Sequence, residues 1–129
     1  MNNINTGVLR ARTVMTFSGT RVNWRNVSYF EIKDTDSNTI GIKWKFKASI
    51  RTEIVEINPE TDYYKYFKQY GLVKFEDTFV NLYKILTIDE EPVHGPIEHT
   101  KVRIVFTDGF ELTRTLRSAD WVWWKTTYA

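Results

Sequence analysis

The 129-residue chain contains no cysteine, and this absence excludes disulfide bonds, cysteine-ligated zinc sites and thiol catalysis. Small secreted domains usually depend on disulfides, so a reducing cytoplasm is the expected compartment. The sequence also lacks an apolar leader at its N-terminus and any apolar run of about 18 residues. We therefore expect neither an export signal nor a membrane span.

The chain also has little excess of positive over negative charge, because 18 basic and 16 acidic residues leave a net charge of only +2. Dedicated duplex binders carry a concentrated basic face, so this balance permits an anionic partner without requiring one. Aromatic residues, in contrast, make up 16% of the chain and include five tryptophans. Such residues fill β cores, and they also anchor protein interfaces and stack on bases or ligands.

Short apolar runs bounded by turn residues predict a mainly β, α+β fold, with an antiparallel sheet of about six to eight strands. The clearest strand is Ile40–Ile50, in which apolar residues alternate with lysines. The strongest hairpin signal is Asp108-Gly109, between apolar strands at Lys101–Phe106 and Phe110–Leu116. We also expect one strand at Thr78–Ile88.

Other segments predict where regular strands end. Arg21–Ile32 is interpreted as a strand with a bulge or bend, because its apolar phase changes near the middle. Asn58-Pro59-Glu60 is a helix start and Gly71 a helix end, so one firm helix is predicted at about 59–70. Glu90–Thr100 contains two prolines and a glycine and is expected to be a loop.

The chain is long enough for one compact domain, and a second full-sized domain is not expected. Residues 1–11 are polar and asparagine-rich, and we expect a flexible N-terminal arm there. Residues 12–129 are expected to form the single domain.

Two similar segments raise the question of an internal repeat: Thr20–Asn23 (TRVN) and Thr78–Asn81 (TFVN). When these segments are superimposed, both continue into three strand-like patterns and then a helix start. This agreement predicts two β-β-β-α half-repeats at 20–70 and 78–129, each burying its helix on a sheet. The alternative is a coincidence between two core strands.

A V-N-L strand with its following apolar residues and an Asp-Gly turn stand in a fixed order within residues 20–125: Val80-Asn81-Leu82, Ile85, Ile88 and Asp108-Gly109. In these residues and in its order of strand, hairpin and helix signals, the chain resembles LytTR-type DNA-binding domains. The resemblance implies a β scaffold that contacts DNA, and Arg114 and Arg117 occupy the region after the hairpin where such a contact would fall. In that family the stretch before the V-N-L strand carries basic or histidine residues. Here it is Lys74-Phe75-Glu76-Asp77, whose two carboxylates would repel phosphate.

A strand face rich in lysine adds to the nucleic-acid alternative. Lys43, Lys45 and Lys47 lie on the opposite side of their strand from Trp44, and they could follow a phosphate backbone. Lysines on an edge strand also protect a sheet against aggregation, so this face has a purely structural interpretation as well.

No catalytic, metal or cofactor site is predicted. His94 and His99 share one segment with three glutamates, but their spacing fits no recognised metal site. Each serine has a turn, strand or cap explanation, and no nucleophile motif such as G-x-S-x-G occurs. We therefore expect a protein that is not an enzyme and that holds no cofactor.

The C-terminal WVWWK contains three tryptophans within four residues. Neither a strand nor a helix can direct all three into one core, so we expect at least one to be exposed and to contact a protein partner or another subunit. The predicted interaction residues are Trp121, Trp123, Trp124 and Tyr128.

The function predicted from these features is that of a non-enzymatic binding or assembly protein, acting as a homo-oligomer or on a protein partner. Small cysteine-free chains of this kind are common among phage and mobile-element products, which would place the protein in the host cytoplasm or a virion. The alternatives are a LytTR-like nucleic-acid-binding regulator and a small-ligand module with a pocket between the two half-repeats, lined by tyrosine and tryptophan.

Overall fold

The computed structural model describes residues 13–34, 39–46, 49–56 and 63–129. The chain divides into two compact units, Met1–Tyr83 and Lys84–Ala129. The arm expected at 1–11, Lys47 and the helix start expected at Asn58–Glu60 lie outside the described residues.

The first unit consists of antiparallel strands and, in its described part, one short helix. Its elements are β1 (Thr13–Met15), β2 (Arg21–Asn23), β3 (Val27–Asp34), β4 (Thr39–Phe46), β5 (Ile50–Glu56), α1 (Tyr63–Lys68), β6 (Leu72–Phe75) and β7 (Thr78–Asn81). Five strands form a sheet in the order β5-β4-β3-β7-β6, while β1 and β2 pair as a separate hairpin. Gly71 follows α1 with a φ of +77°, the left-handed conformation expected of a glycine that ends a helix.

An aromatic cluster fills the core of the first unit. Phe30 and Phe79 face each other on β3 and β7, and their rings stack with centroids 4.9 Å apart. The Trp44 ring lies 4.3 Å from Phe30, and Phe67 of α1 lies 4.9 Å from the same ring. All four side chains are buried. Much of the high aromatic content is therefore used for packing.

The second unit is a three-stranded antiparallel sheet followed by a helix. Its elements are β8 (Ile85–Val93), β9 (His99–Phe106), β10 (Glu111–Arg117) and α2 (Ser118–Tyr128), and the strand order is β10-β9-β8. Along β9 the buried residues Val102, Ile104 and Phe106 alternate with more exposed ones, which gives the sheet one apolar face. Leu112 and Leu116 of β10 extend that buried face.

The prediction of a mainly β, α+β fold is confirmed. The ten described strands are divided among three antiparallel sheets of two, three and five strands. The Asp108-Gly109 hairpin also forms where its turn signal indicated, and Gly109 has a φ of +91°.

Two strand predictions require correction, because each segment is broken by a 3₁₀ turn. The single strand predicted at Thr78–Ile88 is wrong, since residues Leu82–Lys84 form such a turn between β7 and β8. The bend expected in Arg21–Ile32 is a full 3₁₀ turn at Trp24–Asn26. Strand β6 is not predicted from the sequence, because four residues are too few to show a period.

The loop predicted at Glu90–Thr100 is also wrong at both ends. β8 continues to Val93 and β9 begins at His99, and Pro92 lies opposite Thr100 in the ladder. A proline can occupy a strand at the edge of a sheet, where its missing N–H leaves no ladder hydrogen bond unmade. Among the described residues, β8 is such an edge strand.

The T-x-V-N segments occupy equivalent places in a repeated order of elements. In both, a hairpin ends in asparagine, a 3₁₀ turn follows, and three strands and a helix come next. The Asn23 side chain accepts the backbone N–H of Arg25 at 3.1 Å, and Asn81 accepts that of Tyr83 at 3.0 Å. The following strands carry register shifts at matching places, Val27/Tyr29 and Ile85/Thr87. The shared residues are thus a signal for a strand end and a capped turn.

Candidate interaction surfaces

Helix α2 is anchored to its own sheet by a carboxylate on β8. The indole N–H of Trp121 donates to Glu90 Oε2 at 2.9 Å, and Lys125 Nζ donates to Glu90 Oε1 at 3.2 Å. These two hydrogen bonds lower the pKa of Glu90 below its ordinary value. Trp124 stacks on Trp121 with centroids 5.6 Å apart, and both indoles are buried. One face of α2 is therefore held firmly.

The opposite face of α2 carries the exposed apolar residues. Trp123 exposes 60% of its surface and Val122 exposes 54%. The Tyr128 ring packs edge-on against Trp123, with centroids 6.0 Å apart. Of the four predicted interaction residues, Trp123 is therefore the most open, while Trp121 and Trp124 belong to the core of the second unit. Val122 is not predicted from the sequence, because its exposure depends on the rotation of the helix about its axis.

The lysines predicted to face nucleic acid stand on β4. Lys43 is exposed, Lys45 is half-buried, and Lys47 lies outside the described residues. The register places Glu31 of β3 directly opposite Lys43. A carboxylate beside a lysine reduces the positive potential that a phosphate backbone would meet.

The two predicted arginines lie on β10 of the second unit, on opposite faces of that strand. Arg114 shares the inner face with the buried residues Leu112 and Leu116, whereas Arg117 alternates onto the exposed face. These arginines do not form one basic surface on β10.

A buried carboxylate organises the polar part of the first unit. Glu53 of β5 accepts the indole N–H of Trp44 at 2.9 Å, and it accepts the Ser18 hydroxyl and, at 3.4 Å, the Ser18 backbone N–H. Burial raises the pKa of Glu53, but hydrogen bonds from Ser18, Thr16 and Trp44 together outweigh burial and leave the pKa below its ordinary value. These bonds fix the turn between β1 and β2, so Glu53 is a structural residue.

An open cleft of about 530 Å³ lies within the first unit, between β1 and α1. Its walls include the aromatic residues Phe17, Tyr63, Tyr66 and Tyr70, together with Arg21. The backbone N–H of Met15 donates to the Tyr66 hydroxyl at 2.9 Å, which ties β1 to α1. The volume is in the range of small-ligand pockets.

The histidines do not assemble a metal site within the described residues. His94 lies 3.6 Å from Glu98, but both side chains are largely exposed. In the part of the chain that the structure describes, no three histidine or acidic side chains converge on a common point.

No described helix combines the length and the apolar character needed to cross a lipid bilayer. Comparison of the chain with models of known protein families, with curated proteins and with solved structures finds no match. The LytTR resemblance therefore stays a prediction, and the function is inferred from the geometry of the described residues.

Proposed function

We propose that the protein is a non-enzymatic assembly module that binds a protein partner through the outer face of α2. The observation that carries this proposal is the exposure of Trp123 and Val122 on a helix that Glu90 anchors through the indole N–H of Trp121. Tryptophan is among the side chains that contribute most when buried in a protein interface.

The anchoring of α2 supports binding in a second way. Trp121, Trp124 and Lys125 hold the helix in place, so the outer indole is presented on a rigid support. A preorganised surface loses less conformational entropy on association. The neighbouring residues Thr126 and Thr127 are exposed and provide a polar rim around the apolar pair. The partner expected is a folded protein with an apolar pocket that accepts an indole.

The test is capture from a lysate of the source cell, followed by mass spectrometry, with three versions of the tagged full chain. We expect a partner that binds the wild type and Thr126→Ala but is lost with Trp123→Ala. Thr126 is the matched control, because it is exposed on the same helix without an apolar ring. Circular dichroism should show the same fold in all three. A partner retained by Trp123→Ala contradicts the proposed surface.

A second candidate function, small-ligand binding, is supported by the aromatic cleft between β1 and α1. Arg21 lines the cleft, whereas Arg25 does not, so the two provide a matched pair. An aromatic carboxylate that fits the cleft should raise the Tm of the wild type and of Arg25→Ala, but not of Arg21→Ala. Absence of any shift across a panel of such ligands contradicts this candidate.

Nucleic-acid binding has less support from the described residues. In the first unit, Lys43 and Lys45 are the main residues that could contact phosphate, and Glu31 lies opposite Lys43. Retardation of a labelled duplex at low salt, with an affinity that falls steeply as the salt concentration rises, would support nucleic-acid binding.

A further inference from the structure

The repeated order of elements exposes a difference between the two equivalent strands β3 and β8. β3 has β4 on one side and β7 on the other, with Tyr29 opposite Val80 and Phe30 opposite Phe79. β8 pairs with β9, and within the described residues it has no strand on its other side. The place that a hairpin fills beside β3 is thus open beside β8.

Equivalent side chains at the register shifts of β3 and β8 also differ in burial. Ser28, at the register shift of β3, is fully buried at 0% exposure, whereas Leu86, at the matching shift of β8, is 63% exposed. An apolar side chain at an open strand edge invites pairing with another strand. Something that covers Leu86 is therefore expected in the functional state.

The repeat also indicates which segment fits this edge. The hairpin that covers β3 consists of β6 and β7, and its equivalent in the first half is the hairpin of β1 and β2. The outer edge of β2 has no strand neighbour among the described residues. A complementary pair of open edges is thus present on every copy of the chain.

The two equivalent asparagines, Asn23 and Asn81, also differ in burial and in the hydrogen bonds of their side-chain amides. The Asn81 amide donates to the carbonyl oxygens of Trp24 at 2.8 Å and Val27 at 2.9 Å, and this side chain is fully buried. Asn23 is exposed, and its amide has no acceptor among the described residues. The carbonyl oxygens at equivalent positions of the second half belong to Leu82 and Ile85.

We propose that the protein self-associates by pairing β2 of one copy, antiparallel, with the open edge of β8 of a second copy. By equivalence with the pairing of β7 and β3, Val22 lies opposite Thr87, and Arg21 lies opposite Ile88. The Asn23 amide then donates to the Leu82 and Ile85 carbonyl oxygens of the second copy. This pairing covers Leu86, and it does not depend on the α2 surface.

Charge complementarity favours the same register. Thr20 would lie opposite Asp89, and the Arg51 guanidinium donates to the Thr20 hydroxyl at 2.9 Å, which brings a cation to that position. Arg21 is exposed on β2, while the exposed Glu91 continues the acidic run along β8. Opposite charges across neighbouring strands are favourable. Pro92 then limits the length of β8 that a partner strand can use.

Each copy presents one donor edge and one acceptor edge, and this limits the assembly to three kinds. Two copies can exchange hairpins reciprocally around a twofold axis, or successive copies can form a ring or filament. The molar mass of the protein measured by sedimentation should therefore exceed the 15.3 kDa of one chain.

Cysteine trapping tests the register directly, because the chain has no cysteine of its own. We expect an equimolar mixture of Val22→Cys and Thr87→Cys chains to form a mixed disulfide dimer on mild oxidation, since directly opposite residues are close enough to bridge. Thr113→Cys, on β10 at the other edge of the same sheet, is the matched control and should not link to Val22→Cys. Absence of the mixed dimer overturns the proposal, as does a Val22→Cys/Thr87→Cys chain that links only within itself.

Sedimentation provides a second measurement that needs no cross-link. Leu86→Lys and Asn23→Ala should each weaken self-association on the order of tenfold in Kd, while Trp123→Ala leaves it unchanged. Unchanged self-association in Leu86→Lys overturns the pairing, and so does a wild-type protein that stays monomeric at all concentrations. Loss of partner capture with Trp123→Ala and loss of self-association with Leu86→Lys are separate outcomes, so each proposal can fail alone.

Discussion

The indole N–H of Trp44 donates to the Glu53 carboxylate at 2.9 Å, in the interior of the first unit. The same carboxylate accepts both the hydroxyl and the backbone N–H of Ser18. One buried residue of β5 thus connects the aromatic core with the turn between β1 and β2. The hairpin proposed to pair with a second copy therefore depends on Glu53 for its position.

Replacement of Glu53 should destabilise the first unit. Glu53→Gln keeps the shape of the side chain but replaces one acceptor oxygen by an NH₂ group, so one of the donors Trp44 and Ser18 loses its acceptor. We expect a loss of about 1–3 kcal/mol in the free energy of unfolding. Urea denaturation followed by tryptophan fluorescence measures this loss. Glu56→Gln, on the exposed end of the same strand, is the control and should change stability by less than about 0.5 kcal/mol. Equal stability of the two variants would contradict the structural role of Glu53.

The lowered pKa of Glu53 predicts a defined pH dependence. Because the folded pKa lies below the ordinary value of 4.5, the stabilisation is fully present above pH 4.5 and is lost as the pH falls through the folded pKa. The pKa of Glu90 is also lowered, so Glu90 contributes a pH dependence of stability with the same sign. Unfolding free energies of the wild type and of Glu53→Gln, measured between about pH 7 and pH 3, should converge at the acidic end. A constant difference across this range would contradict the prediction.

The tryptophans of α2 should separate into stability and binding residues. Trp121→Ala removes a buried indole and the hydrogen bond to Glu90, so we expect a loss of about 3–5 kcal/mol in stability. Trp123→Ala removes an exposed ring and should cost less than about 1 kcal/mol. Thermal unfolding measures both changes. Similar losses for the two variants would show that the outer face of α2 is packed.

The asparagines of the repeat form a natural matched pair for mutation. Asn23→Ala removes one cap bond, so a cost of about 1 kcal/mol is expected in the monomer. Asn81→Ala removes the same cap bond and also leaves the buried Val27 carbonyl oxygen and the partly buried Trp24 carbonyl oxygen without their donor, which raises the expected cost to about 2–4 kcal/mol. Chemical denaturation at low protein concentration compares the two. Equal losses of stability for Asn23→Ala and Asn81→Ala would contradict the view that the two additional hydrogen bonds of Asn81 stabilise the fold.

Gly71 should resist substitution because of its backbone conformation. Its φ is +77°, and a Cβ at this position would come within 2.5 Å of the Tyr83 ring. Gly71→Ala is therefore expected to lose about 1–2 kcal/mol, as the chain strains and the exposed ring moves away. Gly95→Ala is the control, because its nearest neighbouring atom lies at 3.8 Å and its φ is not positive. Differential scanning calorimetry of the two variants tests the contrast.

The local features of the fold were predictable because they depend on residues close together in the chain. Alternation along residues 42–46 of β4, the Asp108-Gly109 turn and the glycine that ends α1 each follow from the preferences of a few neighbouring residues. The strand predicted at Ile40–Ile50 is too long, because β4 ends at Phe46 and Ile50 begins β5. The T-x-V-N resemblance was visible in the same way. The structural role of the two T-x-V-N segments could not be predicted, because a strand that ends in a capped turn has the same apolar pattern as a strand that continues.

The amino-acid sequence by itself determined that this protein is mainly β and aromatic-rich, and that WVWWK cannot bury all three of its indoles. Only the tertiary structure decided that Trp121 and Trp124 are the buried ones, because the face of α2 that is buried depends on contacts with residues distant in sequence, such as Glu90, 31 residues away from Trp121 along the chain. Only the tertiary structure placed β7 beside β3 and gave β8 a single strand neighbour among the residues that the structure describes. Strand pairing of this kind joins residues distant in sequence, so local preferences do not specify it.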